Sequence, residues 1–266
     1  MRKAVNDLLG AYDKLIMDPV HGGIPLYRHE IKVIDHPLFQ RLRNICQNDI
    51  LSLVFPGATH SRFLHSVGVM HVGGRMFRTM IDAYLRERQL SEQVDLSLSQ
   101  LDAIDYLAKT IRLGCLLHDS GHSSFSHQFT QARKIHDLMA QPGRFEKLWA
   151  GADYRDYFRE PPAELEHEHY SVRVAHEILT QIDLQDAGLC IQDVMGIMET
   201  TEVTPSESFC RHALTFWEFI AGEDAESGAI HRDDIPALVM NMLSSIVSGE
   251  IDADRADYML RDGFHS

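Results

Sequence analysis

The stretch Ile111-Arg-Leu-Gly-Cys-Leu-Leu-His118-Asp119-Ser-Gly121-His122 runs from apolar residues directly into a histidine and an aspartate, and then into a glycine. The apolar residues at helical spacing predict a buried helix that ends at this pair. A buried carboxylate without a partner costs several kcal/mol, so Asp119 needs a cation or hydrogen-bond donors. Adjacent imidazole and carboxylate groups suit a divalent first-row metal. The stretch therefore predicts a helix that delivers two ligands to a metal site.

Two further ligand candidates lie far from this pair in the sequence. His65 ends the segment Phe55-Pro-Gly-Ala-Thr-His-Ser-Arg-Phe-Leu-His65, and Asp254 ends Gly249-Glu-Ile-Asp-Ala-Asp254. The set His65, His118, Asp119 and Asp254 resembles the ligand signature of the HD-domain metal-dependent phosphohydrolases. Two nitrogens and two oxygens suit iron, manganese, zinc or nickel and leave positions for water and substrate. The alternative is that each residue is a satisfied polar group at a helix end.

Several other motifs extend this resemblance over most of the chain, in order, from about residue 14 to residue 262. They are Asp18-Pro-Val-His-Gly22, Ile34-Asp-His-Pro-Leu-Phe-Gln-Arg-Leu-Arg43, His118-Asp-Ser-Gly-His-Ser-Ser-Phe-Ser-His127, His167-Glu168 and Asp254-Arg-Ala-Asp-Tyr258. Together they resemble the deoxynucleoside triphosphate triphosphohydrolase branch of that superfamily. The resemblance implies an all-α fold, a single HD-domain helical bundle with the metal site between core helices. It also implies hydrolysis of a nucleoside triphosphate to nucleoside and inorganic triphosphate.

Composition indicates an ordinary globular protein. The 266 residues carry a formal net charge of −14, which argues against a nucleic-acid-binding surface. No apolar run approaches the roughly 20 residues of a membrane-spanning helix, and the first residues lack a secretory apolar core. Four scattered cysteines without a Cys-x-x-Cys pair are typical of free thiols in a reducing compartment. These features predict a cytoplasmic protein with neither nucleic-acid nor membrane partners.

The apolar pattern is helical nearly throughout. Helices are expected from near His65 to Tyr84, over 101–117, 166–182, 189–199 and 235–247, and again from Asp254, while 22–26 is expected to be a short strand or turn. We interpret residues 1–266 as one domain. Within it, 128–166 is interpreted as an inserted hairpin or lid, although a tolerated surface elaboration explains it equally well. The family's later assembly segments are absent, so at most a weak homo-oligomer is expected.

The resemblance assigns catalytic roles to four residues. It implies that His122 and His127 contact the phosphates and the leaving oxygen, and that His167 is a catalytic histidine oriented by Glu168. A histidine is chemically sensible here, because expelling triphosphate needs an acid that titrates near neutrality. Turn hydrogen bonds for the first two residues, and a helix-start carboxylate for Glu168, are the structural alternatives. A divalent ion would activate water, and a second ion such as magnesium is implied with the substrate phosphates.

Other residues are assigned to the substrate. Arg62 and Arg255 form the expected triphosphate clamp, although the family has lysine at the second position. The resemblance places Tyr258 and Asp262 at the sugar, with Asp262 and Gln47 on the 3′-hydroxyl. At Asn48 a mammalian member has an apolar residue against the 2′ carbon, so the preference for deoxyribose is in question here. Four residues match a regulatory guanine-nucleotide site but are equally typical of structural caps and salt bridges: Lys14, Asp35, Gln40 and Arg43.

Three functions stay open on the sequence alone. The first is the triphosphohydrolase, with a nucleoside triphosphate as substrate and one divalent transition metal. The second is an HD nucleotidase or phosphodiesterase that acts on nucleoside monophosphates or cyclic nucleotides. The third is a nucleotide-sensing module without turnover. Four basic residues near the ligand set favour a substrate with several phosphates over a monophosphate: Arg62, His122, His127 and Arg255.

Overall fold

The structure, a computed structural model, describes residues 12–89, 96–124, 132–139, 141–149, 152–158, 160, 162, 165–198, 203–222 and 230–265. Two strands come first, β1 (Lys14–Asp18) and β2 (Gly22–Leu26). The helices that follow are α1 (Arg28–Ile34), α2 (Pro37–Gln40), α3 (Arg62–Gln89), α4 (Leu98–Leu117), α5 (Arg133–Met139), α6 (Arg144–Leu148), α7 (His167–Gln181), α8 (Ile191–Gly196), α9 (Glu207–Ala221), α10 (Ile235–Val247) and α11 (Ala253–His265). The prediction of an all-α bundle is confirmed.

Helices α3 and α4 form the centre of the bundle. They pack along each other, with α11 against α3 and with α9 and α10 against α4. Helix α4 begins with a capping box in which Ser97 and Gln100 satisfy each other's backbone amides. Its second half is buried on all sides, because every residue from Thr110 to Leu117 is inaccessible or nearly so. The helix therefore ends inside the protein, and the His118–Asp119 pair at its end lies between core helices.

The hairpin of β1 and β2 covers one side of the bundle. The strands are antiparallel, with Lys14 opposite Leu26, and Gly22 adopts a left-handed φ of 74° at the turn. Asp18 accepts hydrogen bonds from the backbone amides of Val20 and His21, which fixes that turn. The short strand expected at 22–26 is thus present as β2.

Most predicted helices are found, with two differences. Helix α8 ends at Gly196, three residues earlier than predicted, and residue 199 lies outside the described part. Helix α9 was not predicted, although it is amphipathic and buries Phe209, Ala213 and Phe216. Its N-cap Ser206 is held by the buried carboxylate of Asp193.

The described parts of segment 128–166 contain α5, α6 and a short 3-10 helix over Tyr154–Asp156. Its aromatic side chains pack together, and Trp149 is only 1% exposed and lies against His176 of α7. Arg173 of α7 donates a hydrogen bond to the carbonyl oxygen of Leu148. This segment is therefore packed onto the outer face of α7; its status as an insertion or lid, like the single-domain boundary 1–266, stays a prediction. None of the described helices is long and apolar enough to cross a membrane.

Candidate metal centre and active site

The four predicted metal ligands meet at the junction of α3, α4 and α11. The Nε2 atom of His65 lies 2.8 Å from an oxygen of Asp254 and 3.8 Å from one of Asp119. The Nε2 atom of His118 lies 3.6 Å from Asp254 and 3.7 Å from Asp119. Donor atoms around a first-row divalent ion with bonds of ~2.1 Å are themselves about 3.0–3.4 Å apart. The separations in the structure are close to this range.

Both histidines are held so that the same nitrogen faces the cluster. The Nδ1 atom of His65 lies 2.8 Å from Asp257, and that of His118 lies 2.8 Å from the carbonyl oxygen of Cys115. A carbonyl oxygen only accepts, so Nδ1 of His118 carries the proton and its Nε2 is a lone-pair donor in the neutral ring. Among the described residues, neither Nε2 atom has a partner in hydrogen-bonding geometry, although both are buried. This arrangement is the outer-shell support typical of histidines that bind metals.

The charges of the cluster also favour a cation. Burial opposes the charged form of His118, but the carboxylates of Asp119 and Asp254 raise its pKa to about 9. Burial likewise opposes charge on Asp119, yet His122, His118 and Arg62 hold the pKa of that carboxyl well below its usual range. Without a metal, protons on the histidines balance the two carboxylates. A divalent ion would take the place of those protons.

A second ionic network lies directly behind His65. Asp257 accepts hydrogen bonds from two nitrogens of Arg261, at 2.9 and 2.8 Å, and Arg261 also binds Asp18 at 2.8 Å. The remaining contact of Asp257 is with His21 Nε2, at 2.6 Å. Asp257 and Arg261 are both fully buried. The network ties the turn of the hairpin to α11 and fixes the ring of His65 from behind.

No function was predicted from the sequence for the members of this network. A signal was available for three of them, because Asp18 and His21 belong to the motif Asp18–Gly22 and Asp257 belongs to the motif Asp254–Tyr258, whereas Arg261 lies outside the motifs. Gly68 on α3 leaves the space that the network occupies. A Cβ atom at that position would lie 2.0 Å from an oxygen of Asp257 and 2.4 Å from Arg261. Any larger residue would collide with the network.

The loop after α4 is fixed by contacts to α7 and to Arg41. The guanidinium of Arg41 donates to the carbonyl oxygens of Ser120 and His122. The backbone amide of Gly121 donates to the hydroxyl of Ser171, at 3.0 Å. A Cβ atom on Gly121 would meet the backbone of α7 at 2.0 Å, so only glycine allows this close approach.

This loop brings the predicted catalytic residues beside the metal ligands. Nε2 of His122 lies 3.3 Å from Asp119, and the rings of His122 and His167 are 4.3 Å apart. Nε2 of His167 lies 3.1 Å from a carboxylate oxygen of Glu168. Asp119, His122 and His167 also have ligand atoms within 4.8 Å of one another, as do His65, His118 and Asp119. His127 lies outside the described residues.

An open cavity with about 590 Å³ of empty space adjoins the cluster. Its lining includes Asp119, Asp254, His167 and Glu168, while Val172, Met198 and Val247 contribute apolar surface. The metal ligands and the His167–Glu168 pair therefore face a common space.

The two arginines expected to bind the phosphates differ in burial. Arg62 is buried, forms an ion pair with Asp119 and lies 3.5 Å from the carbonyl oxygen of Gln47. Arg255 is exposed, and its side chain donates to the carbonyl oxygen of Glu250 at 2.6 Å. Their assignment to a triphosphate stays a prediction.

The residues expected at the sugar lie between the 45–50 segment and α11. Asn48 donates a hydrogen bond of 2.8 Å to Asp262, and His60 Nε2 lies 3.1 Å from the same carboxylate oxygen. Gln47 and Tyr258 are half-buried. Asn48 and Asp262 are thus in contact, as a shared role at the sugar requires, but that role stays a prediction.

The four residues considered for a regulatory nucleotide make local contacts. Lys14 and Asp35 form an exposed ion pair of 3.9 Å. Gln40 donates to the carbonyl oxygen of Ile34 and accepts from Arg43 at 2.7 Å, and the guanidinium of Arg43 lies 3.5 Å from the centre of the Phe63 ring. These contacts account for all four residues without a ligand, so the regulatory assignment stays a prediction.

Comparison with known proteins places this site in a family context. No family model matches the chain. The deoxynucleoside triphosphate triphosphohydrolase SAMHD1 of Bos taurus is 31% identical over 257 residues, which cover 95% of this chain and 35% of that protein. The Xenopus laevis protein of the same name is 30% identical over 257 residues, covering 95% and 34%.

The chain thus spans about a third of the length of these relatives. A crystal structure of a phosphohydrolase from Bacteroides thetaiotaomicron superposes on it with a TM-score of 0.49 and 22% identity, over 95% of this chain and 42% of the other. The sequence relatives confirm the resemblance predicted from the motifs, and the chain is homologous to a part of these deoxynucleoside triphosphate triphosphohydrolases.

Proposed function

We propose that the chain is a metal-dependent hydrolase that converts a nucleoside triphosphate and water to nucleoside and inorganic triphosphate. The observation that carries this proposal is the orientation of His65 and His118. Each presents a buried Nε2 to the two carboxylates, while its Nδ1 is engaged behind it. The site opens into the same cavity as His167 and Glu168. The relatives, which are deoxynucleoside triphosphate triphosphohydrolases, support the substrate class.

The residues fit one divalent transition metal, held by His65, His118, Asp119 and Asp254. Such an ion, when bound, lowers the pKa of a bound water toward about 7 and offsets phosphate charge. Magnesium accompanying the substrate phosphates would meet the same carboxylates. The donor set of imidazoles and carboxylates suits iron, manganese, zinc or nickel.

The protein's own groups supply the remaining chemistry. We assign His167, held by Glu168, the role of donating a proton to the 5′ oxygen that leaves the α-phosphorus. A general acid of this kind contributes about 10²–10⁴-fold. We assign His122, beside both Asp119 and His167, the role of donating to a phosphate oxygen, and we assign the same role to His127. Arg62 balances Asp119, and together with Arg255 it provides positive charge for the triphosphate.

The experiment that tests this proposal is product analysis. The protein is incubated with manganese and one nucleotide, dATP, ATP or AMP, in separate reactions. The phosphorus-containing products are then identified by chromatography. Release of inorganic triphosphate from dATP or ATP is the expected result. Orthophosphate from AMP instead would replace the proposal with a nucleotidase. Tight nucleotide binding without any product would replace it with a nucleotide-sensing module.

A further inference from the structure

A second cavity lies on the other side of α3 from the metal ligands. It has about 600 Å³ of empty space, and it lies between β2, α3 and α4. Its apolar lining comes from Phe77 and Ile81 of α3 and from Ile104 and Ala108 of α4, with the ring of Tyr27 at one wall. Since none of these residues belongs to the site described above, the cavity is separate from the proposed active site.

Three arginines surround this apolar lining. Arg112 is buried and neutralised, because Glu30 accepts from it at 2.5 and 2.9 Å. Arg75 and Arg78, one helical turn apart on α3, form no ion pair or hydrogen bond with any residue in the described ranges. Asp105 of α4 is likewise paired, with Lys109 at 2.6 Å. The cavity therefore has an excess of two positive charges in a chain whose net charge is −14.

The electrostatic surroundings of His71 agree with this excess of positive charge. Burial, followed by Arg112, His21 and Arg75, lowers the pKa of His71 to about 4. The neutral ring of His71 lines the cavity and adds a polar group that needs no counterion. An anion placed here would meet the guanidinium groups of Arg75 and Arg78, and none of the described lining residues carries a carboxylate.

We infer that this cavity binds a small anion with an apolar body. The body, a ring or short acyl chain, would lie on Phe77, Ile81 and Ala108, and its phosphate, sulfonate or carboxylate head would meet Arg75 and Arg78. Guanidinium groups bind such oxyanions with charge-assisted, often bidentate hydrogen bonds. A fully inorganic anion would leave the apolar lining in contact with water. A neutral apolar molecule would leave Arg75 and Arg78 without a counterion.

Fluorescence titration with 8-anilinonaphthalene-1-sulfonate, an aromatic sulfonate, tests this inference. The double variant Arg75→Gln/Arg78→Gln should weaken binding of this probe on the order of tenfold or more, since it removes the charge-assisted hydrogen bonds to the sulfonate. Ala108→Leu, which fills the cavity with apolar atoms, should weaken it as well. Arg86→Gln, an exposed arginine on the same helix, is the matched control and should leave binding unchanged.

Competition then identifies the source of the head group. Displacement of the probe by decanoate assigns an acyl carboxylate, and displacement by AMP assigns a nucleotide phosphate. In either case, the displacement must be lost in Arg75→Gln/Arg78→Gln. Equal probe affinity in the parent, the double variant and Ala108→Leu would overturn the inference, as would an equal loss in Arg86→Gln. Turnover of nucleotides does not enter this readout, so the result is independent of the proposed catalytic function.

Discussion

Two clusters of imidazole and carboxylate groups lie side by side in this protein, and they differ in how completely they are satisfied. In the Asp257 cluster, the carboxylate is buried and accepts from His21, His65 and Arg261, so its charge is balanced within the protein. In the Asp119–Asp254 cluster, the histidines turn buried Nε2 atoms toward the carboxylates without hydrogen-bonding geometry. The charges of the first cluster are balanced by protein groups alone, whereas the second has the donor atoms for a further cation.

The difference shows that residue type alone does not identify a metal site. Both clusters contain histidine and aspartate, and both lie at the contact of α3 with α11. Each also contains an arginine, Arg261 on Asp257 and Arg62 on Asp119. What separates them is Asp254, which faces the Nε2 atoms of His65 and His118 and, among the described residues, has no arginine of its own. Removing a group from the Asp119–Asp254 cluster, the open cluster, should therefore alter metal binding. Removing a group from the Asp257 cluster, the closed cluster, should alter folding.

The largest effect is expected on metal binding. His118→Ala combined with Asp119→Ala removes two of the four predicted ligands. Metal affinity should fall by more than the roughly 10–100-fold that loss of an outer-shell partner costs. Metal analysis of the purified proteins measures this, with His231→Ala, an exposed histidine, as control. Equal metal content in the double variant and the parent would show that the open cluster is not the metal site.

The closed cluster should respond in stability. Asp257→Asn removes the charge that faces Arg261 and the acceptor that holds His65, and breaking a buried pair costs about 3–5 kcal/mol. Urea denaturation of the metal-free protein measures this loss in the free energy of unfolding. Asp262→Asn on the same helix, whose side chain is 35% exposed, should change it far less. If the two variants lost the same stability, the distinction between a closed and an open cluster would fail.

His167→Ala tests which residues of the open region bind metal and which act on substrate. Its ring lies within ligand distance of Asp119 and His122, so it is also a candidate ligand. We expect turnover to fall on the order of 10²-fold or more, with metal content unchanged, because we assign it to proton transfer. A parallel loss of metal would assign it to coordination, and near-parental kcat would transfer the acid role to another histidine.

The open cluster should contribute to the pH dependence of stability in the metal-free protein. The pKa of His118 rises from 6.5 to about 9 on folding, so its contribution is complete below about 6.5 and is lost as pH rises through about 9. The lowered pKa values of Asp119 and Asp254 act oppositely, with stabilisation that is lost as pH falls below the usual 3.8. Histidines whose pKa is lowered by burial, such as His29 and His71 at about 4, also act oppositely, because their stabilisation is present above about 6.5 and is lost as pH falls.

The contribution of His118 is therefore measured as a difference from His118→Gln, which keeps the other histidines. With a chelator, the Tm advantage of the parent over this variant should be smaller at pH 9 than at pH 6. Added manganese should raise the Tm of the parent more at pH 9, because metal binding requires neutral imidazoles. A Tm difference that grows between pH 6 and pH 9 would contradict the charge balance described above.

The smallest expected effect is on the selectivity between deoxyribose and ribose. Asn48→Leu removes the hydrogen bond to Asp262 and creates an apolar surface, on which a ribose 2′-hydroxyl would be unpaired at a cost of ~1–3 kcal/mol. The ratio of kcat/KM for dATP over ATP should rise by about tenfold. Steady-state kinetics with both substrates measures it. An unchanged ratio would mean that selectivity has to be sought at Tyr258.

The sequence predicted the parts of this arrangement that local pattern determines. Helical periodicity identified α3, α4, α7 and α10, and motif context predicted the four candidate ligands, which the structure brings together. Helix α9 was missed although its apolar spacing was visible. The closed cluster was not predictable in this way, because Asp257 and His21 are 236 residues apart and their contact depends on the docking of the hairpin against α11. Likewise, the cavity beside Arg75 forms only where three elements meet.

The union of hairpin turn and last helix also sets an order during protein synthesis. His21, His65 and His118 leave the ribosome before α11 exists, so until residues 254–257 are synthesised the nascent chain has these imidazoles without Asp254 and Asp257. Asp257 is the group that orients His65, and Asp254 is one of the two carboxylates of the open cluster. Discrimination among metal ions by the proposed site therefore requires α11, and an ion that bound the chain before α11 was made would meet a different set of ligands.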